Sequence, residues 1–311
     1  MTDNCQVPWT DEQWARVNSV IQEEASRARV AATFLPLVGP LSADADFVRR
    51  GDITFPALVP PPPPAQIAIN DTATMLLATL QVKVYLRGAQ MADPEMTSAL
   101  NLFRRAANIL ARLEDAVVFG GLVANPAPVP RPPAPPPPPF IPPAAAIAGL
   151  PQVWEILNGQ VSDGLVGPPA PAGAPPPIVV GVPPPPLGDL LVTAVANAIA
   201  QLEGRGQFGP FALVLDTNFF TAVQTPAVGL TLPQDRIIPF LGSGGSLLRS
   251  STLPANHGVV VALGGAPVEL IVATDMSQAF LQVTSEPRFL FRVFEKIRLR
   301  INQPQAIAIL A

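Results

Sequence analysis

Proline placement constrains this chain more than any other feature. The 311 residues include 41 prolines, and these come in blocks. Pro60 to Pro64 form an unbroken run, residues 125–143 are dominated by proline and alanine, and 168–187 is proline-rich again. Proline has no backbone N–H and a fixed φ, so such blocks favour polyproline II or irregular chain and build no packed core. Regular structure is therefore expected before, between and after them. The length suffices for one large domain or two ordinary ones.

The first ordered block opens on Thr10, with Gln13 at the spacing of a capping box. Trp14, Val17 and Ile21 recur at helical spacing, and Arg16, Glu23, Glu24 and Arg27 supply a polar face. The pattern predicts an amphipathic helix of roughly five turns, ending near Val30. Residues 31–92 read as extended and irregular. Within them Leu80, Val82, Val84 and Leu86 alternate with Gln81, Lys83, Tyr85 and Arg87, which predicts a strand. Asp93 then suits an N-cap and Pro94 the first helical position. Met96, Leu100, Phe103, Leu110, Leu113 and Val117 mark an apolar stripe that Gly120 and Gly121 stop. Roughly 26 residues give a rod of about 39 Å.

The proline-rich stretch 122–187 follows, broken by an apolar island from Leu150 to Asn158 that holds Trp154, Ile156 and Leu157. Beyond it, Val192 to Leu202 predicts a helix, Phe211 to Leu215 a buried strand, and Asp216 to Val223 a short helix. Val259 to Leu263 and Val268 to Ala273 predict strands. The clearest strand is the last: Phe289, Phe291, Val293, Ile297, Leu299 and Ile301 share one face, and Arg292, Lys296, Arg298 and Arg300 the other.

Charged residues are only 14% of the chain, against about 25% in ordinary soluble domains. Burial of surface against partners accounts for the deficit, and so does dilution by proline. The greasiest stretches are cut by proline or polar groups, so no membrane span of about 20 residues is expected. The opening Met1-Thr2-Asp3-Asn4-Cys5 lacks the basic and apolar regions of a signal peptide, and the expected compartment is the cytoplasm. A net charge of −4 without a basic run argues against nucleic-acid and anionic-membrane partners. A single cysteine, Cys5, excludes an internal disulfide and a cysteine metal cluster.

Candidate chemistry is sparse. His257 is the only histidine, and no Gly-x-Ser-x-Gly elbow accompanies it, so it reads as a surface residue rather than a general base. Gly242-Ser243-Gly244-Gly245-Ser246 lacks the lysine ending of a phosphate loop and reads as a surface loop. Glu114 and Asp115 are neighbours, do not share a helical face, and are expected to be solvated or salt-bridged. Trp9 and Trp14 read as anchors of the first helix. No catalytic, cofactor or metal residue is expected, which favours a structural protein over an enzyme.

Four stretches resemble the encapsulin family, bacterial shell proteins that share the tailed-phage capsid fold. They are Thr10 to Asn18 with Val38-Gly39-Pro40-Leu41, Leu113 to Gly120, Gly206 to Leu215, and Phe291 to Glu295 through Pro304 to Ile307. The resemblance implies an α+β, tailed-phage major-capsid-like fold. Its parts would be an N-terminal helix and arm (1–49), an extended loop (50–92), the spine helix of a peripheral domain (93–121), a Pro/Ala-rich insertion and linker (122–187), an axial domain (188–285) and a closing strand returning to the peripheral domain (286–311). The family passes quickly from the spine helix to a Gly-Leu pair. Here Gly121 and Gly164-Leu165 stand far apart, so about 122–161 is read as an insertion, expected to face outward and to be dispensable over 124–149.

The resemblance further implies a homo-oligomeric icosahedral nanocompartment enclosing a cargo enzyme, such as a ferritin-like protein or a peroxidase. Cargo docking is expected at the first helix and the chain after it, at Trp14, Val17, Ile21, Phe34, Leu35 and Leu37. The five-fold pore is expected between Gln224 and Gln234, lined by Gln224, Thr225, Pro226, Gly229 and Thr231, a stretch without charge. The alternative is a phage or prophage major capsid protein packaging DNA, which gene context would distinguish. A third reading is a secreted or surface Pro/Ala-rich antigen, which would neither assemble nor have the export route it needs.

Overall fold

A computed structural model describes residues 7–54, 68–70, 72–125, 139–167, 171, 173–181, 186–226, 231–284 and 288–311. Its helices are α1 (Asp11–Ala28), α2 (Ala31–Phe34), α3 (Gly88–Met91), α4 (Thr97–Gly120), α5 (Ala144–Ile147), α6 (Leu187–Glu203), α7 (Thr217–Val223) and α8 (Pro233–Leu241). Its strands begin with β1 (Leu37–Val38), β2 (Phe47–Arg49), β3 (Asp52–Thr54), β4 (Ala68–Asn70), β5 (Thr74–Leu76) and β6 (Ala78–Arg87). Then come β7 (Val123–Ala124), β8 (Phe140–Ile141), β9 (Trp154–Leu157), β10 (Phe211–Leu215), β11 (Ser246–Arg249), β12 (Gly258–Ala262), β13 (Val268–Val283), β14 (Arg288–Ile301) and β15 (Ile307–Leu310).

The capping box forms as its spacing predicts. The Thr10 hydroxyl accepts from the Gln13 N–H, and the Gln13 side chain accepts from the Thr10 N–H. Trp14, Val17 and Ile21 are buried, and Trp9 stacks on Phe291 at 5.1 Å while meeting Trp14 edge-on at 5.0 Å. The two tryptophans therefore anchor α1 to the core.

The spine helix α4 starts later than expected. Met96 takes a left-handed φ of 55°, which breaks the helical path after Pro94. Asp93 still caps, because its carboxylate accepts from the N–H groups of Glu95 and Thr97. The 24 residues of α4 make a rod of about 36 Å. Its last two turns are buried all round, from Leu113 to Gly120.

Two sheets organise the chain. A five-stranded sheet runs β1-β13-β14-β6-β9. A four-stranded sheet runs β11-β10-β12-β15. The first sheet packs under α1 and α4 in one large core. Alternate residues of the second sheet serve two cores. Ala212, Val214, Val259, Val261, Ile307 and Ile309 join the core of α1 and α4. Leu213, Leu215, Val260, Ala262, Ala308 and Leu310 join the core of α6, α7 and α8. Every residue of β10 and β12 is consequently buried.

Several differences from the sequence expectations have clear causes. β13 runs to Val283, well past Ala273, because β14 pairs it along its length through three register shifts. β13 belongs to the five-stranded sheet and β15 to the four-stranded one, so both sheets draw strands across the expected boundary at 285–286. Residues 31–92 carry α2 and α3 besides their strands. The stretch expected as insertion and linker supplies β9, which pairs with β6 through Leu80↔Ile156 and Val82↔Trp154. It also supplies Ala146, Ile147 and Leu150 to the core.

Candidate functional site

The four strands β2 to β5 form an arm of two strand pairs. β2 pairs with β5 and β3 with β4, all antiparallel. A small cluster of Leu77, Ile271 and Ala273, with Val48 packed on it, roots the arm in the five-stranded sheet. On the same arm Phe47 and Ile69 are 63% and 66% exposed, and Leu76, the partner of Phe47, is exposed too. Phe208, just after α6, and Ile238 and Phe240 of α8 are exposed as well. Large apolar side chains left exposed in contiguous patches mark protein–protein contact surfaces.

The cargo candidates separate in the structure. Trp14, Val17, Ile21, Phe34 and Leu35 are buried within the subunit's own core. An amphipathic helix has one apolar stripe, and α1 spends it on α4 and β13. Only Leu37, at the edge strand β1, is exposed, at 56%. Of the pore candidates, Gln224, Thr225, Pro226 and Thr231 are exposed beside α7 and α8, while Gly229 lies outside the described residues. Gln224 hydrogen-bonds Gln234 across the loop's base, and the Thr225 hydroxyl donates to the Thr221 carbonyl at 2.9 Å.

The acidic pair Glu114-Asp115 is not solvated: Glu114 is salt-bridged and both are buried. Both side chains are buried where α1 ends, α4 passes and β14 crosses. Arg29, the C-cap of α1, meets Glu114 and Glu295 at 2.5 Å each and Asp275 at 2.8 Å. The Arg29 Nε–Glu114 contact is an ion pair without hydrogen-bond alignment. Burial works against the Arg29 charge, but Glu295 and Glu114 hold its pKa above the ordinary arginine value. Burial pushes Glu114 up, and the negative Glu295 pushes it further. Burial likewise raises Glu295, against the pull of Arg29. Asp115 accepts from the N–H groups of Val30 and Ala31, which fixes the start of α2. Burial outweighs those bonds and pushes Asp115 up to about 7. This hub ties α1, α4, β13 and β14 together.

The other sequence candidates are structural. His257 Nδ1 lies 2.9 Å from the Ala255 carbonyl, and the cavity it borders is otherwise lined by apolar and glycine residues. The glycine-rich 242–246 stretch turns from α8 into β11, the reverse of the strand-to-helix order that a phosphate loop requires. Among the described residues no cluster of three or more His, Cys, Asp or Glu could hold a metal ion. No helix among them is long and apolar enough to cross a membrane.

A family model described as "Encapsulating protein for peroxidase" matches residues 2–126 and 185–298. The chain belongs to this encapsulin family. The unmatched interval contains the proline-rich excursion and β9. A curated relative, the type 1 encapsulin shell protein EncA of Myxococcus xanthus, is 24% identical over 97% of this chain and 93% of its own length. A virus-like particle from Pyrococcus furiosus shares the fold with a TM-score of 0.62 at 14% identity, over 96% of this chain and all of that one. A structure from Mycobacterium phage Bobi does so with a TM-score of 0.58 at 13% identity, over 91% and 90%. This encapsulin is a shell-forming subunit of capsid-like fold, and the family is structural.

Proposed function

We propose that this encapsulin closes into an icosahedral cytoplasmic compartment, holds a peroxidase or ferritin-like enzyme inside, and performs no catalysis itself. The arm carries the reading. A two-stranded ribbon is marginally stable alone in water, and this one exposes Phe47, Ile69 and Leu76. A neighbouring subunit supplies the missing cover, as one subunit's arm lies on the next. The family description supports a peroxidase as cargo. The test is size-exclusion chromatography with negative-stain microscopy of the purified chain. Closed particles are expected. A monomer near 32.6 kDa overturns the proposal.

The fold shared with a phage structure supports a second reading, a shell that packages DNA. A protein that neutralises many phosphates needs a basic surface, and this chain has a net charge of −4. Purified particles are therefore expected to absorb at 280 nm as protein alone. Nuclease-protected DNA inside them would favour the capsid reading.

A further inference from the structure

Arg298 is a buried cation with unmet hydrogen-bonding capacity. It projects from β14 and is 7% exposed. Among the described residues its Nε and Nη1 have no hydrogen-bond partner. The side chain lines a cavity of about 180 Å³ that Arg50 and Asp163 also line, together with Thr74, Gln160 and Ser162. Arg298 and Arg50 thus share one small space with Asp163. Burial, and then the nearby Arg50, depresses the Arg298 pKa to about 10, with Asp163 opposing. A buried cation is costly unless an anion and hydrogen bonds compensate it, and two of the Arg298 nitrogens find no such partner among the described residues.

We propose that this cavity is a binding site for a small inorganic oxyanion of the phosphate class, held between Arg298 and Arg50. Guanidinium groups present planar donor pairs that match phosphate geometry. The open Nε of Arg298 supplies a charge-assisted bond from the buried wall, and Arg50 supplies the second charge from the rim. The hydroxyls of Thr74 and Ser162 and the Gln160 amide are neutral groups of the same lining. Asp163 limits affinity, because its carboxylate competes for the same cations. A bound anion would join β14 to the root of the arm and to the chain returning from β9. The inference is independent of cargo and of shell geometry.

The experiment is titration calorimetry of the purified full-length protein in its assembled form with inorganic phosphate, chloride holding ionic strength constant. Saturable binding near one phosphate per subunit is expected, with sulfate competing. Arg50→Gln removes an exposed charge and should weaken binding by about ten-fold or more, the scale of one charge-assisted hydrogen bond. Asp163→Asn should tighten binding several-fold. Arg298→Met should abolish it. Absence of saturable binding to the parent overturns the proposal, including the case where Arg298→Met also prevents assembly, which would give the cavity to a neighbouring subunit's carboxylate. If Arg298→Met fails to fold, the Arg50 and Asp163 variants decide, and shifts in the same direction or none at all overturn it.

Discussion

Gly121 and Gly164 meet backbone to backbone across the excursion that separates them in sequence. A Cβ built on Gly164 would lie 2.3 Å from the Gly121 nitrogen. The chain just beyond Gly164 then satisfies the end of the spine helix: the N–H groups of Leu165 and Val166 donate to the carbonyls of Val118 and Phe119. These are among the carbonyls that any helix C-terminus leaves without a partner. Gly164→Ala forces backbones apart and should cost about 3 kcal/mol, the upper range for overpacking. A fall in melting temperature of the particles checks it, and an unchanged melting point counts against the contact.

The excursion itself should be removable, within limits set by its packing. Ala146, Ile147 and Leu150 lie in the core, so deletion of 124–149 is expected to reduce particle yield. Residues 126–138 lie outside the described residues, between the β7 and β8 ends. Replacing them with a two-residue Asn-Gly turn should leave assembly intact, since Val123 and Ala124 already pair with Ile141 and Phe140. Loss of particles from the short deletion alone would make the excursion a structural strap.

Stability should fall as pH rises through the range set by Asp115. Its folded pKa of about 7 lies above the ordinary 3.8. The folded state therefore holds a proton that the unfolded state has released, and the stabilisation present at low pH is lost between about pH 4 and 7. Glu114 and Glu295 are raised as well and act in the same direction. Asp115→Asn should remove roughly 2 kcal/mol of the change between pH 5 and 7. Chemical unfolding at both pH values measures it, and a variant with the parental slope would refute the assignment.

Leu37 and Phe34 should respond differently to the same substitution. Leu37 is exposed at the edge of the sheet, whereas Phe34 is buried and stacks on Phe119. Leu37→Asp is expected to release cargo from intact particles. Phe34→Asp buries a charge and should prevent assembly altogether. Co-purified enzyme per particle gives the readout, and full retention in Leu37→Asp removes β1 as a docking edge.

The uncharged loop after α7 gives a prediction about permeability. Thr225→Asp places a ring of carboxylates where the parent has none, and such rings attract cations. Entry of a divalent metal should accelerate several-fold at low salt and lose that advantage at high salt. Equal entry rates in parent and variant would place the route elsewhere.

Local signals in the sequence carried far, and long-range ones did not. Thr10 and Gln13 define a helix start by themselves, because both partners lie within one turn. The glycine pair at 120–121 likewise marks the spine's end. Its start was misplaced because Asp93 and Pro94 have the right chemistry, while the left-handed Met96 that delays the helix has no sequence signature. The pairing of Trp154 with Val82 was hidden because strand register depends on partners distant along the chain. The burial of Glu114 and Asp115 had one visible clue, the apolar Ala116-Val117-Val118-Phe119 that follows them. Their partners Arg29 and Glu295 lie far away in sequence, so the hub could not be read from spacing. The burial of Trp14, Val17 and Ile21 is hidden in the sequence for a related reason: an apolar stripe on α1 looks the same whether it faces the chain's own core or a guest.

The four-stranded sheet with both faces buried makes the subunit a single cooperative unit. Val214 and Leu215 are consecutive residues, yet each belongs to a different core. Loosening either core shifts the strand that the other is built on, so neither half can melt while its companion stays native. A growing wall then meets subunits that are either whole or unfolded, and half-formed pieces are absent from the pool from which it draws.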